Sequence, residues 1–206
     1  LLAPVFDPSV WSDYQRLGRR GRGPRADLAL QALIDDCATE LGSPAGEVFL
    51  IGYSGGAQFV HRYILAHPTR ATAAVVAAAG WYTPPDPRRA YPHGLRIDGS
   101  LAGVQIEPTD LHRCPILVCV GQRDIQRDEA LRCSPRLDRF QGRNRRERAR
   151  RWVEATRRAA GRLGVEPRIS LVELPGAGHS FAQCVRAGLG ELAFQFFEKS
   201  RRESNP

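Results

Sequence analysis

Ser54 is the residue of this sequence that is best placed to act as a nucleophile. It follows a short apolar run at residues 48–51 and precedes a helical pattern, in the pentapeptide Gly52-Tyr53-Ser54-Gly55-Gly56. A serine on a sharp turn between a buried strand and a helix is held above the sheet with its hydroxyl available to a substrate. Side chains at the first and last glycines are expected to collide with neighbouring backbone in so tight a turn.

Two further residues could activate such a hydroxyl, which needs a base and an acid that orients the base. Asp124 comes just after an apolar run at residues 115–120, which predicts a strand, and His179 comes just after the last predicted strand, at residues 169–174. Because the carboxyl ends of parallel strands meet in one crevice, we expect both side chains to lie near Ser54. The sequence therefore predicts a serine, a histidine and an aspartate acting together in acyl transfer.

Other titratable residues are weaker candidates for this chemistry. Asp128 and Glu129 could replace Asp124, but the spacing after the strand favours Asp124. Four histidines are interpreted as surface, packing or solvated loop residues, although the last two could touch a substrate: His61, His67, His93 and His112. Cys119 lies within a predicted strand, and we interpret it as a small core residue.

The elements that must position these residues alternate between strand-like and helix-like patterns, which is typical of an α/β domain with a largely parallel sheet. Strands are predicted at residues 1–6, 48–51, 73–80, 115–120 and 169–174. Helices are predicted at residues 26–41, 57–67, 145–163 and 181–199. Residues 83–113 are rich in proline and glycine, and their length predicts a functional insertion or lid within a single domain covering residues 1–206.

The charge of the chain does not by itself indicate a partner. The formal net charge is +8, and Lys199 is the only lysine, so arginine carries almost all of the positive charge. The arginines are scattered, and the dense run at residues 143–151 is expected on the polar side of a helix. We therefore favour an arginine-rich composition over nucleic-acid binding. No apolar run is long enough to predict a membrane-spanning helix.

The cysteine content predicts reduced thiols and no metal site. None of the five cysteines forms a CxxC pair or has a histidine at zinc-finger spacing. An odd number of cysteines in a chain of this size favours a cytoplasmic setting, although a bridge between Cys133 and Cys184 remains open. We expect no metal and no cofactor.

The three segments that carry these residues resemble the C-terminal two-thirds of an α/β-hydrolase domain. They are Gly52-Tyr53-Ser54-Gly55-Gly56, Val118-Cys119-Val120-Gly121-Gln122-Arg123-Asp124 and Pro175-Gly176-Ala177-Gly178-His179. The chain order of serine, aspartate and histidine is also that of the family. The resemblance implies an α/β-hydrolase fold, a mostly parallel sheet with helices on both faces that lacks the first strands. It implies Ser54 as nucleophile, His179 as general base and then acid, and Asp124 as the residue that orients His179.

The resemblance also suggests how the substrate is held. The backbone N–H of Gly55 is expected to face the oxyanion, and Tyr53 is expected near the site. Trp81 and Tyr82 correspond to positions that often line the acyl or leaving-group pocket, although ordinary packing under the insertion is an even alternative.

The sequence departs from the family at its start. The second oxyanion donor of the family follows its third strand, which would precede Leu1, and residues 1–6 resemble the fourth strand. We infer that N-terminal sequence is missing, which would leave a gap beside residues 48–51. We expect these 206 residues alone to be poorly stable and weakly active or inactive.

These observations predict a serine hydrolase of the α/β-hydrolase type that cleaves a carboxylic ester, thioester or amide of a small molecule through an acyl-enzyme. A peptidase-like hydrolase of the same fold is the first alternative. Two alternatives belong to other functional classes: a non-catalytic binding protein of this fold and an arginine-rich nucleic-acid binder. An intact serine, acid and histidine argue against the non-catalytic binding protein. The nucleic-acid binder predicts a steep dependence of binding on salt concentration.

Overall fold

A computed structural model describes residues 1–42 and 47–204 of the chain. It contains four strands, β1 (Phe49–Tyr53), β2 (Ala73–Ala77), β3 (Ile116–Gly121) and β4 (Ile169–Leu174). Its α-helices are α1 (Ala26–Glu40), α2 (Gly55–Ala66), α3 (Pro135–Gln141), α4 (Arg145–Leu163), α5 (Phe181–Arg186) and α6 (Leu189–Ser204). Ser43 and Pro44, which the sequence places after the first helix, lie outside the described residues.

The four strands form one parallel sheet in the order β1-β2-β3-β4. The connection between each pair of successive strands crosses over from the carboxyl end of one strand to the amino end of the next, as a parallel sheet requires. Within the described residues, β1 pairs only with β2, so it is an edge strand, and its Ile51 side chain is exposed. The carboxyl ends of all four strands therefore meet at one edge of the sheet, where the candidate site lies.

Helices cover both faces of this sheet, as predicted. On one face, β-strand residues such as Val76 and Val118 pack in a core with residues of α1, α2 and α4. On the other face, Val75 and Leu117 pack in a second core with α5 and α6. Because side chains alternate between faces along a strand, two helical layers can bury every side chain of β2 and β3.

The strand predicted at residues 1–6 is wrong. These residues are extended coil, and within the described chain no strand pairs with them. Phe6 is held by its ring, which lies 5.1 Å from that of Phe59 and 5.2 Å from that of Trp11, measured between centroids. The apolar run therefore reflects aromatic packing onto α2 and not a place in the sheet.

Residues 83–113 form a long connection that contains a single turn of 3₁₀ helix at Asp110–His112 and one isolated β-bridge. Several of its apolar side chains are buried in the core beside α2, including Tyr91, Leu95 and Leu101. This segment is thus a packed part of the domain in the structure. Its role as a functional insertion stays a prediction.

The arginine run at residues 143–151 does not lie wholly on the polar side of α4, as the sequence suggested. Arg145 and Arg148 are 1% and 0% exposed. The Arg148 guanidinium donates hydrogen bonds to three backbone oxygens and one carboxylate, those of Gly80, Arg132, Gly142 and Asp138. Burying a guanidinium is tolerable here because its donors are paired. Arg148 thereby ties together the loops that follow β2 and β3.

The helices also differ from the prediction in two places beyond small shifts of their ends. The helix expected at residues 181–199 is two helices, because Gly188 adopts a left-handed conformation with φ of 93° between α5 and α6. Helix α3 was not predicted, although Ser134 accepts a hydrogen bond from the Leu137 N–H at 3.2 Å and Pro135 follows it. Serine followed by proline is a helix-start signal that could have revealed this short helix.

The structure gives two further results on the residues it describes. None of the helices in residues 1–42 and 47–204 is long and apolar enough to cross a membrane. All five cysteines are free thiols, so Cys133 and Cys184 are not bridged. Cys119 is fully buried in the core, as predicted.

Candidate active site

Ser54 lies on a strained turn between β1 and α2. Its φ and ψ are 51° and −108°, a conformation that non-glycine residues rarely adopt and that is typical of functional sites. The turn is fastened to the sheet by the Ser54 N–H, which donates to the Ala77 carbonyl at 2.8 Å. A Cβ atom at Gly52 would lie 2.4 Å from the Gly56 carbonyl oxygen, so only glycine fits there.

The last glycine of the pentapeptide does not have the role that the sequence suggested. A Cβ atom at Gly56 would meet nothing within 4 Å, because that position faces open space. The crowded position is Gly55, where a Cβ would lie 2.6 Å from the Tyr14 hydroxyl and 2.9 Å from Gln15 Nε2. The Tyr14 hydroxyl and the Gln15 amide, both in the N-terminal segment, therefore lie directly over Gly55.

His179 lies within hydrogen-bond distance of Ser54. The distance from Ser54 Oγ to His179 Nε2 is 3.1 Å, within reach of a proton transfer. The loop that carries His179 is held against the end of β3, where the Arg123 N–H donates to the Ala177 carbonyl at 2.8 Å. A Cβ at Gly121 would lie 2.3 Å from the Ala177 oxygen, so glycine at the end of β3 permits this contact.

Asp124 orients the other side of the imidazole. His179 Nδ1 lies 2.9 Å from Asp124 Oδ2, and the Asp124 side chain is fully buried. An ionised carboxylate can only accept, so Nδ1 carries the proton and Nε2 faces Ser54 with a free lone pair. The arrangement leaves Nε2 as the atom that can take the proton of Ser54.

A buried arginine, which sequence reasoning missed, lies behind Asp124. Arg145 Nη1 is 3.5 Å from Asp124 Oδ1, and the same guanidinium pairs with both oxygens of Asp128 at 2.6 and 2.8 Å. This pairing lowers the pKa of Asp128, chiefly through the hydrogen bond from Arg145. Asp128 is therefore bound to Arg145, whereas Asp124 contacts His179, and Glu129 is exposed. Nothing in the sequence distinguishes Arg145 from its neighbouring arginines.

Tyr53 forms one wall beside the histidine. Its ring is stacked on that of His179, with centroids 5.5 Å apart, and Phe181 meets its other side edge-on at 5.2 Å. Burial is the main reason that the pKa of the Tyr53 hydroxyl is raised. Phe181 is 55% exposed, so an apolar surface extends outward from the histidine.

The two aromatic residues predicted to line a pocket lie in different surroundings. Trp81 lines a cavity of about 200 Å³ at the carboxyl edge of the sheet. Tyr82 is fully buried, with its ring stacked on that of Trp152 at a centroid distance of 4.6 Å. Tyr82 is therefore a core residue in this structure, because its side chain has no surface to offer a substrate.

The remaining histidines lie apart from the Ser54–His179–Asp124 arrangement. His61 is fully buried: Nδ1 lies 2.9 Å from the Ala57 carbonyl, and Nε2 accepts the Thr83 N–H at 3.1 Å. Its burial lowers its pKa well below the ordinary value, so it is a neutral packing residue, as predicted. His67 contacts Asp27. His112 is buried and not a solvated loop residue, because the 3₁₀ turn that carries it packs against the core.

Comparison with known proteins adds to this geometry. No protein-family model and no curated protein matches the sequence. Among solved structures, LpqC, a poly(3-hydroxybutyrate) depolymerase from Bordetella parapertussis, is similar over 96% of this chain and 68% of its own, with 27% identity and a TM-score of 0.77. The chain belongs to the α/β-hydrolase superfamily.

A second neighbour of this α/β-hydrolase is poly(aspartic acid) hydrolase-1 from Sphingomonas sp. KT-1. It has a TM-score of 0.74 and 24% identity, and the match covers 88% of the present chain and 72% of the neighbour. This second likeness shows the fold alone. Since LpqC is a depolymerase, the first likeness supports a hydrolase.

Proposed function

We propose that this α/β-hydrolase is a serine hydrolase that cleaves carboxylic esters through an acyl-enzyme on Ser54. The observation that carries the proposal is the continuous contact from Ser54 Oγ to His179 Nε2, at 3.1 Å, and from His179 Nδ1 to Asp124 Oδ2, at 2.9 Å. A nucleophile, a base and an orienting acid in hydrogen-bond contact are the requirements of acyl transfer. The name of LpqC, a depolymerase of a polyester, favours esters over thioesters and amides.

The residues of the site have separate roles in the proposed reaction. Ser54 Oγ attacks the carbonyl carbon while His179 Nε2 takes the hydroxyl proton. The tetrahedral oxyanion forms at the N-terminus of α2, where the Gly55 N–H donates to it. His179 returns the proton to the departing alkoxide, the C–O bond breaks, and the acyl group stays on Ser54. Water then attacks the acyl-enzyme with His179 again as base, and Ser54 recovers its proton.

The acyl-enzyme can be tested by measuring how its acetyl group is divided between water and methanol. Acetate esters with different leaving groups, such as phenyl and p-nitrophenyl, are hydrolysed in buffer that contains methanol. Since all of them form the same acetyl-enzyme, we expect one ratio of methyl acetate to acetate whatever the leaving group.

Two results would contradict the proposal. A ratio that changes with the leaving group would indicate direct attack of water on the bound ester. Since weak activity is expected of these 206 residues, the rate is compared with that of Ser54→Ala at the same high protein concentration, and equal rates would count against an ester hydrolase. Circular dichroism and thermal unfolding are measured on the same sample to establish that the chain is folded.

A further inference from the structure

A cleft lined by arginines lies at the carboxyl edge of the sheet. Its volume is about 510 Å³, and it is adjacent to the 200 Å³ cavity at Trp81, because four side chains line both: Arg89, His93, Arg132 and Arg136. Arg19, Arg20 and Arg96 complete the basic lining of the larger part. No carboxylate among the described residues lines either part. We call this combined site the arginine cleft.

Half of these arginines are already paired with a carboxylate outside the cleft. Arg19 pairs with Asp13, Arg20 with Asp98 and Arg89 with Asp86, at distances of 3.2 to 3.5 Å.

The other three arginines, Arg96, Arg132 and Arg136, have no ion pair with any residue in the described part of the chain. Their side chains are exposed at the rim. Guanidinium groups gathered without counter-charges repel one another, and an anion that bridges them removes that repulsion.

Arginine side chains also pack against the aromatic wall of the cleft. The Trp81 ring has the Arg62 guanidinium 4.2 Å from its centroid, and that of Arg132 at 5.5 Å. Arg62 is fully buried, and its Nη2 has no hydrogen-bond partner in the described residues. Burial, followed by the positive charges of Arg132 and Arg136, lowers the pKa of His93 below its ordinary value. The cleft therefore presents a positive field to solvent.

The segments that line the cleft are connected to the edge of the sheet where Ser54 lies. Arg89 and His93 follow β2, and Arg132 follows β3, so both segments leave the edge of the sheet at which Ser54 and His179 lie. Arg19 belongs to the N-terminal segment, in which Gln15 lies over Gly55 and its backbone oxygen accepts a hydrogen bond from Arg62 at 2.6 Å. The N-terminal segment thus has residues beside the nucleophile and in the lining of the cleft.

We propose that the arginine cleft binds a ligand carrying two or more carboxylate or phosphate groups, and that such a group forms part of the substrate. Each planar guanidinium can donate two parallel hydrogen bonds to either kind of oxyanion. The binding claim stands on the cleft alone. The claim that the anion belongs to the substrate rests on the proposed serine hydrolase function.

The binding claim is tested by calorimetric titration of the folded chain with tricarballylate in one arm and inorganic triphosphate in the other, at fixed ionic strength. We expect the double variant Arg132→Gln/Arg136→Gln to weaken binding by roughly tenfold or more, because two charge-assisted contacts are lost. Arg162→Gln/Arg202→Gln is the matched control. It removes the same charge from exposed arginines outside the cleft and should change affinity less than about twofold. Tighter binding of tricarballylate would indicate that the cleft recognises carboxylates, and tighter binding of triphosphate would indicate phosphates.

The binding proposal is overturned if neither anion binds the native chain, or if the control pair loses as much affinity as the cleft pair. The substrate claim is tested separately, with a neutral ester and the same ester bearing a distal dicarboxylate. Arg132→Gln/Arg136→Gln should lower kcat/KM for the anionic ester by roughly tenfold more than kcat/KM for the neutral ester. Equal effects on both esters would overturn it. If neither ester is cleaved by the native chain, it is the hydrolase proposal that fails.

Discussion

Replacing Ser54 by alanine is expected to lower kcat for ester hydrolysis by about 10⁵-fold or more, and replacing His179 by alanine should have a loss of similar size. The serine supplies the atom that forms the covalent bond, and the histidine supplies the base, lying 3.1 Å from that oxygen. Because the two residues act in one step, the double variant should be hardly slower than either single variant. The measurement is steady-state hydrolysis of p-nitrophenyl acetate by all three variants.

The control for this pair is Ser9→Ala, which removes an exposed hydroxyl that donates a hydrogen bond to Asp7. Its activity should equal that of the native chain. Losses in Ser54→Ala and His179→Ala that multiply in the double variant would contradict a shared step. Thermal unfolding of each variant separates lost chemistry from lost structure.

Asp124→Asn is expected to lower kcat by about 10⁴-fold. The carboxylate of Asp124 accepts the Nδ1 proton of His179 at 2.9 Å, which leaves Nε2 free to act as the base. An asparagine amide can donate to Nδ1 and thereby move the ring proton to Nε2, where it blocks the reaction with Ser54. Pre-steady-state and steady-state rates on an activated ester measure this loss.

Asp128→Asn separates the two acids that the sequence left open. Asp128 pairs with Arg145, whereas the carboxylate that contacts His179 is that of Asp124, so replacing Asp128 should change kcat by less than about tenfold. Arg145 keeps a carboxylate partner, because Asp124 Oδ1 lies 3.5 Å away. A greater loss in Asp128→Asn than in Asp124→Asn would assign the orienting role to Asp128.

Much of the fold could be predicted because its signals are local. The β2 and β3 strands are continuous apolar runs, as expected for strands buried on both faces, and α4 has the predicted bounds. The three site residues could also be found, since each follows a strand and parallel strands end at one edge. Their contact depends on pairing across the chain, such as that between Arg123 and Ala177, which no local pattern contains.

The errors have a common physical cause, which is that burial is decided by distant partners. Arg148 lies in an arginine run that the sequence predicts to face solvent, but the loops after β2 and β3 provide hydrogen-bond acceptors for its buried guanidinium. Residues 1–6 are apolar enough for a strand, but Phe6 packs its ring on α2. For Tyr82 the sequence left pocket lining and ordinary packing open, and the structure has its ring stacked on that of Trp152 in the core.

The most direct test of the central claim is covalent labelling of the native chain with a fluorophosphonate, followed by peptide mass spectrometry. This reagent forms a stable bond with a serine hydroxyl that a neighbouring base activates. The account predicts one adduct per folded chain, located on Ser54, and no adduct in Ser54→Ala or in His179→Ala. Labelling that persists in Ser54→Ala, or an adduct on another residue of the native chain, would contradict it.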